Sequence, residues 1–191
     1  MKVQYMEWAG IFILLLYLLF LLAVTCALLV YLYYMFASVI STYFDVPFVP
    51  SRHSRAKTMF DLVGNIRDKT ILDIGCGSGT LLITAARRGA RVIGIERNPL
   101  LSYFARARLS LAGYRHTSHI RTGNFEKGVL PHADIVAVYL MPETLKKLRP
   151  RFKAELPSHA LIVSNQFTIE GWTPHTAENE VYLYRIADAP Q

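Results

Sequence analysis

The chain has 191 residues, a formal charge of +7 and a 52% hydrophobic fraction, which allows one ordinary globular domain plus a segment too apolar for a soluble fold. Its two cysteines, Cys26 in the apolar stretch and Cys76 in a glycine-rich turn, exclude a disulfide framework. Lys2 and Glu7 cancel, so the residues beyond the apolar stretch carry the whole +7, read as attraction to anionic lipid headgroups in preference to nucleic acid.

From Ala9 to Phe44 no charged residue occurs. One helix over that run would extend roughly 54 Å, well beyond a hydrocarbon core of about 30 Å. No Gly or Pro interrupts Ile11 to Val46, which favours one long helix over a hairpin, with Ile11 to Val30 in the bilayer. Tyr31, Tyr33, Tyr34 and Phe36 then lie near the interface. A cleaved signal peptide is the competing reading, but the run is far longer than a signal h-region and only Lys2 supplies a basic start. Lys2 flanks the span on one side and Arg52, Arg55, Lys57 and Arg67 on the other, which predicts a single pass with the large domain in the cytoplasm. The expected organisation is a membrane anchor over 1–44 (transmembrane helix at about 9–36), a Pro-containing linker over 45–56 and one domain over 57–191.

Val46 to Ser51 (VPFVPS) reads as extended linker, because each Pro fixes its own φ and biases the residue before it away from helix. Ala56, Met59, Phe60 and Val63 then fall at helical spacing, predicting a short amphipathic helix over Ser54–Val63. Strands are expected at Thr70–Ile74, Arg91–Ile95, His119–Thr122, Ile135–Leu140, Ala160–Asn165 and Val181–Ile186, and helices at Thr80–Arg88, Leu100–Leu111 and Glu143–Leu148. That alternation implies an α/β domain of Rossmann-like, doubly wound type, with a mostly parallel sheet of six or seven strands covered on both faces. No internal repeat or low-complexity tract is present.

The informative stretch is Thr70 to Pro99. An apolar strand ends in Asp73, glycines follow at Gly75, Gly77 and Gly79 with Cys76 among them, a helix begins, and a second strand ends in Glu96 before Arg97. Glycines serve where a chain turns sharply and lets its backbone approach a ligand, which would lie beyond the carboxyl ends of the strands. Glu96, 21 residues after Gly75, is spaced to accept from both hydroxyls of a ribose, so adenosine binding is expected. A dinucleotide fingerprint would require Gly at position 80, where this chain has Thr80. It would also set Asp73 beside a pyrophosphate, where like charges repel. Asp73 suits instead a ligand carrying an ammonium group, such as the methionyl part of S-adenosylmethionine. A plain tight turn without ligand is the structural alternative.

DIGCGSG followed by VIGIERNP resembles the motifs of class I S-adenosylmethionine-dependent methyltransferases, roughly from Lys57 to Asn165. The resemblance implies a glycine loop lining the methionine moiety, Glu96 on the ribose, and Asn124 with Phe125 of TGNF at the adenine. Asn124 departs from the common Asp but can accept through its amide oxygen; a turn residue is its plainer reading.

A narrower resemblance rests on VPFVPS, on IVAVYLMP ending at Pro142 and on SNQFTIEGWTP. These are similar to segments of small membrane-anchored protein-lysine methyltransferases, whose mitochondrial members modify the adenine nucleotide translocase and a component of the ATP synthase. By that resemblance Pro47 to Pro50 would close over the cofactor. Tyr139 and the segment around Asn165 and Trp172 would line the acceptor channel, with Tyr139 and Asn165 as the catalytic candidates. Trp172 packing over the sheet edge is an equal alternative.

Transfer of a methyl activated by its sulfonium depends on positioning and on exclusion of water, so no His or carboxylate is demanded as base. The six histidines lack metal spacing and no metal is expected. The predicted function is a membrane-tethered methyltransferase acting on lysine of a membrane-associated protein. A lipid or lipophilic acceptor and a non-catalytic cofactor-binding scaffold are the competitors. YLMP lacks the Asn/Asp-Pro-Pro-Tyr form of several amino-group methyltransferases and does not choose between acceptors.

Overall fold

An uninterrupted apolar run has only its own carbonyls for its N–H groups to bond, and Lys2–Tyr43 forms one continuous helix, α1. The computed structural model describes residues 2–43 and 53–190, and the chain divides into the units Met1–Phe48 and Val49–Gln191. Within α1, Gly10–Phe36 is a 27-residue stretch of mean hydropathy 3.0, long and apolar enough to cross a membrane. Large apolar side chains are exposed all round it, Phe20 and Leu29 among them, so the helix has no polar face to turn to water. Thr25 Oγ1 donates back to the carbonyls of Leu21 and Leu22 at 2.9 and 2.8 Å, which satisfies the hydroxyl within the helix. The single helix agrees with one span rather than a hairpin. The VPFVPS segment and the expected closure of Pro47 to Pro50 lie outside the described residues.

The second unit begins with α2 (His53–Val63), which occupies the end of the expected linker. It continues with β1 (Thr70–Ile74), α3 (Thr80–Arg87), β2 (Arg91–Glu96), α4 (Pro99–Leu111), β3 (Ser118–Thr122) and β4 (Ile135–Val138). After these come α5 (Pro142–Glu155), β5 (Leu161–Asn165), β6 (Thr176–Glu178) and β7 (Val181–Arg185). Seven strands form one sheet in the order β3-β2-β1-β4-β5-β7-β6. The pairs from β3 to β5 are parallel, whereas β7 runs antiparallel to both neighbours.

Alternation along the strands sorts the core into two layers. Ile71, Val92, Ala137 and Val163 share a cluster with residues of α2, α3 and α4. Leu72, Ile74, Val136, Val138 and Ile162 share the other with Leu145, Leu148 and Phe152 of α5. By the same alternation Asp73, Glu96 and Asn165, the last polar residues of β1, β2 and β5, belong to the α2–α3–α4 face.

Two elements depart from the sequence reading. Helix α5 runs to Glu155 and passes through Pro150, where the expected helix stops at Leu148. Pro150 removes one intrahelical hydrogen bond, but Leu148 and Phe152 on either side of it are fully buried, and their packing carries the helix through. Strand β6 is exposed along its whole length and offers no apolar alternation. It exists because Asn179 and Glu180, both at positive φ (49° and 61°), turn the chain back against β7.

Candidate active site

Strands β1 and β4 are adjacent and parallel, and the chain leaves them toward opposite edges of the sheet, so a crevice opens beyond their carboxyl ends. The register Ile74 to Val138 and Val138 to Ser164 brings Gly75, Tyr139 and Asn165 to this one rim. Gly75, Gly77 and Gly79 all sit in the left-handed region, at φ 79°, 53° and 78°, which other residues enter at a cost. The loop is fastened by the Gly75 N–H to the Ile95 carbonyl (2.8 Å) and the Gly79 N–H to the Cys76 carbonyl (2.9 Å). No side chain caps the start of α3, leaving its first-turn N–H groups available to a ligand.

Asp73 is 6% exposed; burial, and after it the charge of Glu96, push its pKa up to about 7. No hydrogen bond to its carboxylate occurs among the described residues. An empty-handed buried carboxylate fits a cationic ligand group that would supply the missing counter-charge. Glu96, also buried, accepts the Gly77 N–H at Oε2 and the Asn98 N–H at Oε1, each at 2.8 Å. Burial raises its pKa, while N–H groups of Asn98, Gly77 and Arg97 work the other way. Each oxygen keeps a lone pair for a further donor, which fits the paired hydroxyls of a ribose. Arg97 is half-buried beside it. Cys76 is buried under the loop, and burial, then the charges of Asp73 and Glu96, drive its thiol pKa upward, so it is an apolar filler here rather than a nucleophile.

Asn124 Oδ1 accepts the Glu126 N–H at 2.8 Å, the turn role, and retains one lone pair for a ligand. Phe125 is 4% exposed and packs in the α5 cluster, so its ring lies in the core and only its backbone borders the loop. The Tyr139 hydroxyl donates to Gln166 Oε1 at 2.6 Å and the ring stacks on Phe167, centroids 6.4 Å apart. Asn165 is 3% exposed and its Oδ1 is the one buried side-chain oxygen or nitrogen without a partner among the described residues. Trp172 lies in the α5 cluster, edge-on to Tyr184 at 6.2 Å. His116, His119, His132, His159 and His175 are exposed. Among the described residues no group of three or more His, Cys, Asp or Glu could hold a metal.

The sequence reading missed several residues that hold this rim. Gly94 faces Cys76: a Cβ there would stand 2.6 Å from Cys76 Sγ and 2.8 Å from Leu82 Cδ1 and Ile120 Cδ1, so only Gly lets the loop settle on β2. Arg108 of α4 grips the loop from behind, donating from Nη1 to the Ser78 carbonyl (2.7 Å) and to Thr80 Oγ1 (3.2 Å). Arg151 of α5 donates to the carbonyls of Phe125 and Gly128 while pairing with Glu155, whose Oε2 accepts the Leu130 N–H at 2.7 Å. Gln166 holds Tyr139. Glycine inside an apolar strand was a readable signal for Gly94; for the two arginines no motif existed, and Gln166 lay inside the SNQFTIEGWTP resemblance without being assigned a role.

The family model of the ANTKMT methyltransferase domain matches residues 73–176, from the carboxylate of β1 to the start of β6. A protein-lysine N-methyltransferase of Saccharolobus islandicus is 29% identical over 153 residues, covering 75% of this chain and 95% of that protein. A lysine N-methyltransferase of Xenopus laevis, named for a component of the ATP synthase, is 26% identical over 129 residues, 68% of this chain and 57% of the relative, so this chain spans little more than half of that protein's length. Among solved structures, an RNA methyltransferase from Salinibacter ruber in complex with S-adenosyl-L-homocysteine aligns with a TM-score of 0.69 and 31% identity, over 72% of this chain and 94% of that one. With the matched segment running through the glycine loop, Asp73, Glu96 and the Tyr139–Asn165 rim, this chain belongs to the ANTKMT methyltransferase domain family.

Proposed function

We propose that this enzyme transfers a methyl group from S-adenosylmethionine to a lysine side chain of a membrane-associated protein. The observation that carries the reading is a shared sheet face: among the described residues the carboxylate of Asp73 and the carboxamide oxygen of Asn165 accept no hydrogen bond, and on that face they lie two strands apart and two residues out of register, roughly 12 Å. One end suits a cation, the other the N–H of an amine. The lysine methyltransferases among its relatives support the same acceptor.

S-Adenosylmethionine, when bound, supplies a methyl group already activated for displacement by its sulfonium. Asp73 answers the ammonium of the methionine moiety, and Gly75, Cys76, Gly77 and Gly79 present backbone rather than side chains to it. Glu96 accepts the ribose hydroxyls, with Arg97 beside it, and Asn124 and the backbone of Phe125 border the adenine. Lysine has an ordinary pKa of about 10.4 and must arrive at the site neutral. Tyr139 and Asn165 then orient its nitrogen. A 1–44 membrane anchor, a linker and a 57–191 catalytic domain facing the cytoplasm complete the reading; the tether confines the enzyme to acceptors at the bilayer and raises their effective concentration.

The test is transfer of labelled methyl into membranes, followed by separation of protein, lipid and RNA. Methyl-lysine in the protein fraction is expected. The Salinibacter ruber likeness supports a second reading, an RNA acceptor; label wholly in RNA would establish it, and label wholly in lipid would refute lysine while leaving methyl transfer intact.

A further inference from the structure

Gln166 follows β5 at φ +69°, a region that a long unbranched side chain enters at a cost and keeps only where its surroundings over-determine it. Those surroundings are on both sides. Its N–H donates to the Glu180 carbonyl at 2.7 Å, while Arg55 of α2 pairs with the Glu180 carboxylate at 2.9 Å and donates to the Asn179 carbonyl at 2.5 Å. Phe167 N–H closes onto the Asn165 carbonyl at 2.9 Å, and Ser164 Oγ donates to the Phe167 carbonyl at 2.5 Å. The hairpin tip and α2 therefore fix the backbone at 166, and the side chain is delivered to the Tyr139 hydroxyl at 2.6 Å.

We infer that Gln166 is a positioning residue for methyl transfer: by accepting a hydrogen bond from the Tyr139 hydroxyl, it leaves the Tyr139 oxygen only lone pairs to offer the acceptor amine. The inference rests on the lysine reading above. A neutral amine ready to attack has two N–H donors and one lone pair. That pair forms the new N–C bond as the C–S bond breaks with its electrons kept by sulfur, and the resulting ammonium returns one proton to water. A hydroxyl free to rotate would donate into that same lone pair and compete with the methyl carbon. With its proton committed to Gln166 Oε1, Tyr139 Oη instead accepts one amine N–H. Asn165 Oδ1, which has no other partner among the described residues, accepts the second. The amine is then held with its lone pair directed away from both oxygens.

The experiment uses the full chain in detergent micelles, tritiated S-adenosylmethionine, and as acceptor the membrane-protein fraction of cells lacking this enzyme. Gln166→Gly removes the side chain where glycine tolerates the φ without strain, so folding is not at risk. It should lower kcat roughly 10- to 100-fold, with the melting temperature no lower and S-adenosylhomocysteine affinity unchanged. Gln166→Glu, which accepts but cannot donate, should recover most of that loss. Added to Tyr139→Phe, Gln166→Gly should cost nothing further, because its effect passes through the hydroxyl. Wild-type turnover in Gln166→Gly, a loss in Gln166→Glu as large as in Gln166→Gly, or additive losses in the double variant each overturn the inference while methyl-lysine still forms in the wild type. Label entering only lipid with the wild-type chain overturns the lysine reading, and this inference with it.

Discussion

Asp73 gives the site a proton-linked character. Its folded pKa of about 7 is raised, so its contribution to the stability of the free domain is complete below the ordinary carboxylate range and is lost as pH rises through about 7. A bound ammonium favours the ionised form and reverses the preference. S-Adenosylhomocysteine should therefore bind more tightly as pH rises toward 7, by at most about tenfold per unit, with proton release at the acid end. Calorimetry in buffers of different ionisation enthalpy reads both quantities, and Asp73→Asn should flatten the profile. An affinity constant from about pH 5.5 to 7.5 in the wild-type chain would mean that no cation meets Asp73. The residue types and spacing of Asp73, the glycines and Glu96 were legible because backbone strain and ligand charge demand those few residues. The Tyr139–Gln166 contact was not, since it joins two strand ends through a left-handed residue that no local rule marks.

At the scale of elements, α5 is the strut behind the Asn124–Phe125 turn. Its apolar stripe of Leu145, Leu148 and Phe152 docks it on the sheet, and Arg151 then reaches the carbonyls of Phe125 and Gly128. The Arg151 pairing and the Leu130 N–H hold the Glu155 carboxyl below its usual range. Arg151→Ala should leave those carbonyls without their donor, lowering stability by about 1–3 kcal/mol and loosening the Asn124–Phe125 turn enough to weaken S-adenosylhomocysteine binding. Urea unfolding and calorimetry measure the two effects; a variant with full stability and full affinity would show the strut to be idle. From sequence the same helix stops short at Pro150, because proline's missing N–H is a local fact whereas the burial of Phe152 is a tertiary one.

For the whole molecule, basic residues on one flank of a long apolar helix make topology the decisive prediction. Reporters fused to the two ends of the full chain should place the N-terminus outside and the catalytic domain in the cytoplasm, following Arg52, Arg55, Lys57 and Arg67. An external C-terminus would contradict both that charge asymmetry and access to an intracellular methyl donor.

Periodicity and punctuation alone determined one long apolar helix, an α/β alternation with nearly correct strand bounds, and a glycine-rich loop between Asp73 and Glu96. Each depends on residues close in sequence, where spacing has a direct physical meaning. Only the tertiary structure decided that β6 exists as an exposed strand, that α5 outlasts its proline, that Phe125 and Trp172 point into the core, and that Asn165 is buried with its Oδ1 unpartnered among the described residues while Gln166 captures Tyr139. Those outcomes turn on contacts between segments far apart in the chain, and on which face of a strand each side chain finds already occupied.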